Sequence, residues 1–179
     1  MKTTVYVGTS LDGFIAREDG DIDWLVKFQN KEVHDSYQKF INKIDAIVTG
    51  RGTYEKVLGF PVWPYDKKVF VLSTTLKQIP AELKEKVILL SMKPKEVLKY
   101  LSGEGFSNLY IDGGKVIQSF LKEDLIDELI ITRVPVLIGT GIPLFGWLDN
   151  DLQFEHKQTD LYSDGLVKSC YERGRKTIR

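Results

Sequence analysis

Residues 46–54 read AIVTGRGTY, and this stretch decides the fold. The apolar and β-branched run Ala46–Thr49 is typical of a buried strand. The glycines after it permit a tight turn, and Arg51–Leu58 has the pattern of a short helix. A strand that enters a helix through such a turn is the repeating unit of parallel α/β sheets. Arg51 and Thr53 therefore stand at the carboxyl end of a strand, where these sheets bind ligands.

The same alternation of strand and helix runs through the first two-thirds of the chain. The predicted strands are Thr4–Thr9, Ala46–Thr49, Lys68–Leu72, Val87–Leu90 and Leu109–Ile111, and the predicted helices are Lys31–Ile44, Arg51–Leu58, Pro94–Leu101 and Val116–Leu121. After Leu125 the pattern predicts strands with no helix between them, at Glu128–Val134, Gln153–Asp160 and Leu166–Glu172. The fold class is therefore α/β, with a mainly parallel central sheet, helices on both faces and antiparallel C-terminal strands.

The composition is that of a globular protein of one domain, predicted to cover residues 1–179. Hydrophobic residues make up 42% and charged residues 28%, and 25 basic side chains balance 25 acidic ones. This balance supplies no field that attracts nucleic acid, so no nucleic-acid partner is predicted. The basic residues that do cluster are predicted to form a frayed, solvated tail: Arg173, Arg175, Lys176 and Arg179.

Cysteine usage and hydropathy predict a cytoplasmic protein. Cys170 is the one cysteine, so the chain offers neither an intramolecular disulfide nor a multi-thiolate zinc site, and no metal is predicted. The first residues lack an apolar core of signal-peptide length, and no apolar run of about 18 residues is present to cross a membrane. We therefore expect no membrane partner.

Two more polar motifs follow predicted strands. Ser73 and Thr74 come directly after one strand, and Asp112–Lys115 (DGGK) comes directly after another. Each motif alone also fits an ordinary turn. Together with Arg51 they place hydroxyls, free backbone N–H groups and a guanidinium along one edge of one sheet, which favours a phosphate-bearing ligand. No G-x-G-x-x-G occurs, and Leu109 stands where a phosphate loop needs its first glycine.

In this order the motifs resemble those of the dihydrofolate reductase superfamily. They are most similar to bacterial single-domain proteins that resemble the reductase domain of the bifunctional riboflavin-biosynthesis deaminase/reductase. The resemblance covers about Val5 to Tyr171 and implies a three-layer dihydrofolate reductase-like fold with an eight-stranded or similar sheet. It rests on SLDGFIA at 10–16, GDIDWL at 20–25, GRGTY at 50–54, the glycine pair at 113–114, LIDEL at 125–129 and PVLIGTGIPLF at 135–145.

The resemblance implies that NADPH lies across the strand ends. Arg51 and Ser73 would meet its 2′-phosphate, which accounts for a preference over NADH. Thr53 and nearby glycine backbones would hold the pyrophosphate. The backbones of Gly8, Ile15 and Ala16 would flank the nicotinamide. The predicted cofactor-binding residues are Gly8, Ile15, Ala16, Gly50, Arg51, Thr53, Ser73, Thr74, Gly113, Gly114 and Lys115.

The resemblance also carries two conformational expectations. In dihydrofolate reductases the Gly-Gly peptide bond is commonly cis, and we expect the same at Gly113–Gly114. The loop from Leu11 to Trp24 is expected to close over the reacting rings.

Hydride transfer to an imine-like ring or to an open-chain sugar carbon needs a proton donor. Dihydrofolate reductases carry a carboxylate for this purpose on their first helix, where this chain offers Glu32, His34 and Asp35. His34 and Asp35 are the catalytic candidates, although the helical pattern also fits surface positions for both. The candidate substrate contacts, for which turn formation or core packing is the alternative, are Asp12, Trp24 and Trp63.

The predicted function is NADPH-dependent transfer of a hydride to a small heterocycle, either pteridine- or dihydrofolate-like or ribosylaminopyrimidine-like. The alternative is a non-catalytic NADP(H)-binding or stress-associated module of the same fold, which would bind the cofactor without turnover. The histidine and paired cysteines of a zinc deaminase motif are absent from the sequence. A homodimer is also predicted, because relatives of this type pair through their sheets or C-terminal strands.

Overall fold

The computed structural model describes residues 1–174. Of the predicted solvated tail, Arg175, Lys176 and Arg179 lie outside the described residues, and Arg173 lies at the end of the last strand. Within residues 1–174 we find no helix that is long and apolar enough to span a membrane.

The described residues form strands and helices that alternate through most of the chain. The strands are β1 Lys2–Thr9, β2 Phe14–Ala16, β3 Ala46–Gly50, β4 Lys68–Leu72, β5 Val87–Leu90, β6 Asn108–Ile111, β7 Glu128–Arg133, β8 Ile142–Pro143, β9 Phe154–Leu161 and β10 Val167–Arg173. The helices are α1 Asp23–Val26, α2 Lys31–Ile41, α3 Arg51–Leu58, α4 Pro94–Gly103 and α5 Gly114–Lys122, with a 3₁₀ turn at Ala81–Leu83.

The main sheet has eight strands in the order β5-β4-β3-β6-β1-β7-β10-β9. Every pairing from β5 to β7 is parallel, whereas β10 pairs antiparallel with both β7 and β9. β2 and β8 form a separate antiparallel ribbon. The predicted fold class is confirmed, including the antiparallel C-terminal strands.

Two hydrophobic clusters lie on opposite faces of the sheet, because successive side chains of a strand alternate between its faces. Val48 of β3 belongs to the cluster that contains Phe120 of α5 and residues of α4. Its neighbour Ile47 belongs to the other cluster, with Phe40 of α2 and Tyr54 of α3. The layers are therefore helix, sheet and helix, as the sequence pattern predicts.

The predicted elements are present, and the differences lie at their ends and in very short segments. The helix predicted to reach Ile44 ends at Ile41, because Lys43 and Ile44 turn back to carbonyls three residues earlier, at 3.0 and 3.1 Å. Three segments of two to four residues, β2, α1 and β8, were not predicted. Such short segments carry too little periodicity to be recognised.

Candidate functional site

The parallel strands end on one edge of the sheet, and the three polar motifs stand there side by side. β4 lies next to β3, β3 lies next to β6, and β6 lies next to β1. Ser73, Arg51 and Asp112 therefore follow the carboxyl ends of three adjacent strands, and Ser10 follows the fourth. This edge is where open α/β sheets bind ligands.

Arg51 and Ser73 meet through Thr75. Arg51 Nη1 donates to Thr75 Oγ1 at 2.9 Å. Ser73 Oγ accepts the backbone N–H groups of Thr75 at 3.2 Å and of Leu76 at 2.9 Å. The two hydroxyls, 3.4 Å apart, and the remaining guanidinium N–H groups keep donors available for a ligand. Such a cluster of donors around one guanidinium suits a phosphate monoester.

Thr53, in the first turn of α3, lies against the backbone of Gly113. A side chain at position 113 would place its Cβ 2.5 Å from Thr53 Oγ1 and 3.6 Å from Thr49 Oγ1. The Thr49 hydroxyl is buried and has no hydrogen-bond partner among the described residues. The first intrahelical bond of α5 runs from Ile117 N to Gly113 O at 2.9 Å, so the N–H groups before Ile117 remain available to an anion.

The ribbon of β2 and β8 covers the start of α5. A Cβ at Gly114 would lie 2.8 Å from Ile142 Cγ2 and 3.1 Å from Ile15 Cδ1. Gly141 approaches the carbonyl oxygen of Ala16 so closely that no side chain fits there. Ile15, predicted to flank the nicotinamide, is thus held next to the glycine pair, and Ala16, predicted with it, is held against Gly141.

The Gly113–Gly114 peptide bond is trans, so the expectation of a cis bond is wrong. Gly113 instead has a φ of +87° and a ψ of 134°, a conformation that L side chains rarely adopt. This one residue turns the chain from β6 into α5, and the turn needs no change in the peptide bond.

The half-buried Asp112 stands at the centre of this edge, and its carboxyl was missed as a catalytic candidate. The backbone N–H of Asp112 donates to Val48 O at 2.9 Å, and its Oδ1 accepts the N–H of Gly113 at 2.8 Å. Burial raises the pKa of Asp112 from 3.8 to about 6, although hydrogen bonds with Gly113 and Tyr110 lower it. A carboxyl with such a pKa is well suited to donate a proton near neutral pH.

Aromatic side chains with polar tips surround this carboxyl. Burial, and after it the charge of Asp112, raise the pKa of Tyr37 to about 12 and also raise the pKa values of Tyr65 and Tyr110. Trp63 packs edge-on against Tyr65 with ring centroids 5.4 Å apart, and its indole N–H has no partner among the described residues. Aromatic walls with a few polar groups suit a planar heterocycle.

The chain matches the family model described as the RibD C-terminal domain over residues 2–168. It belongs to this family. A solved Shewanella protein named for riboflavin biosynthesis is 44% identical, with a TM-score of 0.92, and the match covers 98% of this chain and 100% of that one.

Two more distant structures share the fold of this RibD C-terminal domain. One is the Thermotoga maritima diaminohydroxyphosphoribosylaminopyrimidine deaminase/5-amino-6-(5-phosphoribosylamino)uracil reductase, 17% identical with a TM-score of 0.76 over 96% of this chain and 56% of that one. The other is the dihydrofolate reductase of Enterococcus faecalis in complex with NADP(H), 17% identical with a TM-score of 0.67 over 97% of each chain. The predicted dihydrofolate reductase-like fold is thereby confirmed.

The predicted proton donors on α2 lie apart from this constellation. His34 is exposed, and Asp35 pairs with Lys31 Nζ at 2.6 Å. Within residues 1–174, no hydrogen bond or ion pair joins either side chain to the motifs at the strand ends. His34 and Asp35 thus lie away from the motifs at the strand ends, whereas Asp112 lies among them.

The other predicted residues differ in how closely they approach the site. Asp12 accepts the backbone N–H of Gly139 at 2.8 Å and so holds its loop against the segment before β8. Trp24 is 2% exposed and packs in a cluster with Val134 and Leu166, which makes it a core residue. Three other residues of the predicted cofactor set lie at the edge: Gly8 beneath Leu25, Gly50 at the start of α3, and Lys115, which is exposed in α5. Thr74 is exposed, and the hydroxyl that contacts Arg51 is that of Thr75.

The substitution Gly113→Ala is expected to lower the free energy of unfolding by about 2–4 kcal/mol, because it combines a positive φ with the collision against Thr53. Gly105→Ala is a control for a positive φ alone, since Gly105 also has a φ of +87° but no atom within 4 Å of the added Cβ. It should cost only about 1–2 kcal/mol. Urea denaturation measures both, and equal costs would show that Thr53 does not crowd Gly113.

The substitution Asp112→Asn is expected to change how stability depends on pH. The pKa of Asp112 is about 6 in the folded protein against 3.8 ordinarily, so its ionisation destabilises the fold as the pH rises through 6, and this cost is absent below pH 3.8. Asparagine does not ionise and still accepts from Gly113. The stability of the variant relative to wild type should therefore rise by about 2–3 kcal/mol between acidic and mildly alkaline pH. A difference that stays constant across this range in denaturation experiments would contradict the burial of a titrating carboxyl.

Proposed function

We propose that this protein is an NADPH-dependent reductase that transfers a hydride to a small heterocycle, pteridine- or dihydrofolate-like or ribosylaminopyrimidine-like. The observation that carries the proposal is the convergence of the Arg51–Thr75–Ser73 cluster, the Thr53–Gly113 approach and the Asp112 carboxyl on one edge of the sheet. Their order along the edge matches the order of groups along NADPH. The first would bind the 2′-phosphate, the second the pyrophosphate, and the third would place a proton donor near the nicotinamide ring.

The residues present fit a bound dinucleotide. The donors around Arg51 would take the 2′-phosphate, and the free N–H groups at the start of α5 would take the pyrophosphate. The absence of side chains at Gly113 and Gly114 lets Thr53 and Ile142 pack against the backbone, since a Cβ at either position would collide with one of them. The bound cofactor would supply the hydride, and the chain would supply its position and the proton.

Asp112 is the proposed proton donor. In its protonated form it can donate to a ring nitrogen, or to the oxygen that becomes a sugar hydroxyl when the hydride adds to the neighbouring carbon. Solvent would return the proton through the part of the residue that is exposed. The hydroxyl of Tyr110 donates to the carbonyl of Tyr6 at 2.9 Å, which fixes the tyrosine that lies two residues before Asp112 in the chain. A protonated, positioned acid beside the cofactor edge favours turnover over a binding module without catalysis.

The substrate would stack beside Tyr37, Tyr65 and Trp63 on the face of the sheet that carries α2 and α3. The single-domain organisation, the homodimer and the cytoplasmic location stay predictions.

Arg51→Gln is expected to weaken NADPH binding by about 10- to 100-fold and to leave NADH binding nearly unchanged, because the lost contact is a charge-assisted one to the 2′-phosphate. Titration of the protein with each dinucleotide measures this. Lys157→Gln is the control: it removes one positive charge from β9, at the opposite end of the sheet, where Lys157 pairs with Glu155 at 2.9 Å. Arg51→Gln that binds NADPH as tightly as the wild type would reject the proposal. A wild type that does not bind NADPH would also reject it.

Asp112→Asn is expected to lower kcat by about 10²- to 10⁴-fold with any dihydropteridine or ribosylaminopyrimidine that the wild type reduces, with NADPH affinity retained. The wild-type rate should fall as the pH rises through about 6, since only the protonated acid donates. Loss of NADPH absorbance reports turnover. A variant with the wild-type rate and pH profile would remove Asp112 from the reaction.

A further inference from the structure

Arg51 is shared between two partners of opposite character. Its Nη1 donates to Thr75 at 2.9 Å, whereas its Nε faces Glu55 Oε1 at 3.1 Å, one turn further along α3. The side chains of Arg51 and Glu55 are 50% and 49% exposed, so both lie at the surface where the 2′-substituent of a bound dinucleotide would arrive.

The affinity of Arg51 for a phosphate depends more on the negative charge of Glu55 than on the strength of the ion pair between the two residues. An exposed pair at i and i+4 contributes little to stability, so a phosphate can draw the guanidinium away from Glu55 at small cost. The carboxylate remains within one helical turn of the phosphate and repels it. Arg51 and Glu55 together carry no net charge, so the pair itself offers a phosphate less attraction than Arg51 alone would.

We propose that Glu55 is a specificity-determining residue that weakens the preference of this site for NADPH, so that the protein also binds and uses NADH. This inference rests on the function proposed above. NADH carries a 2′-hydroxyl where NADPH carries a phosphate, and a carboxylate beside that position accepts a hydrogen bond from a hydroxyl. Arg51 then binds the 2′-phosphate of NADPH, and Glu55 accepts a hydrogen bond from the 2′-hydroxyl of NADH.

The substitution Glu55→Gln distinguishes the effect of the charge of Glu55 from the effect of its contact with Arg51. Glutamine keeps a side-chain oxygen that can accept from Arg51 Nε, and it removes only the charge. Glu155→Gln is the matched control, because it makes the same chemical change in an exposed ion pair on β9, at the opposite end of the sheet.

The measurement is the dissociation constant of NADPH and of NADH for the wild type and both variants, at low and high salt. Glu55→Gln should tighten NADPH by about three- to tenfold and leave NADH equal or weaker, and high salt should reduce the gain. Glu155→Gln should leave the ratio of the two constants within about twofold of the wild type.

Three results would overturn the inference. They are an unchanged ratio in Glu55→Gln, an equal change in both variants, and weaker NADPH binding in Glu55→Gln, which would mean that the carboxylate orients Arg51 for the phosphate. Each of these leaves the proposed reductase intact, since a dinucleotide still binds. A wild-type protein that binds neither dinucleotide would overturn the proposed function and this inference with it.

Discussion

The parallel pairing of β4, β3, β6 and β1 is the constraint on which the site depends. Backbone hydrogen bonds hold these strands in one direction, so their carboxyl ends come to the same edge whatever side chains follow them. Arg51 and Asp112 are 61 positions apart in the sequence, with Ser73 between them. The three residues nevertheless follow strands that are neighbours in the sheet. Each motif alone fits an ordinary turn, and their chemical meaning comes from this shared edge.

Close approach between α3 and α5 gives the edge its shape. Thr53 and Gly113 come so near one another that a Cβ at position 113 would collide with Thr53, and a Cβ at position 114 would collide with Ile142 of the β2–β8 ribbon. Hydroxyls and backbone N–H groups thereby replace side chains as the surface that a ligand would meet. The rigid frame also buries Asp112, and burial is what raises the pKa of its carboxyl.

Much of the fold could be predicted, because strands and helices differ in the spacing of their apolar residues along the sequence. The bounds of α3, β4 and β5 agree with the prediction, since each is a short apolar or amphipathic run with clear ends. The site could be predicted only in part. That Thr75 rather than Thr74 meets Arg51 depends on how the chain turns after β4. The surroundings of Asp112 depend on residues distant in the sequence, among them Tyr37 and Tyr65. Helical spacing placed His34 and Asp35 on the first long helix, but it does not show which side chain contacts the sheet edge.

The most direct test of the account is a crystal structure of the protein with NADPH. The account predicts the 2′-phosphate among Arg51, Ser73 and Thr75, the pyrophosphate at the start of α5, and the nicotinamide between Ile15 and the side of the edge that holds Asp112. A dinucleotide bound elsewhere, or bound with its nicotinamide at Arg51, would contradict the account.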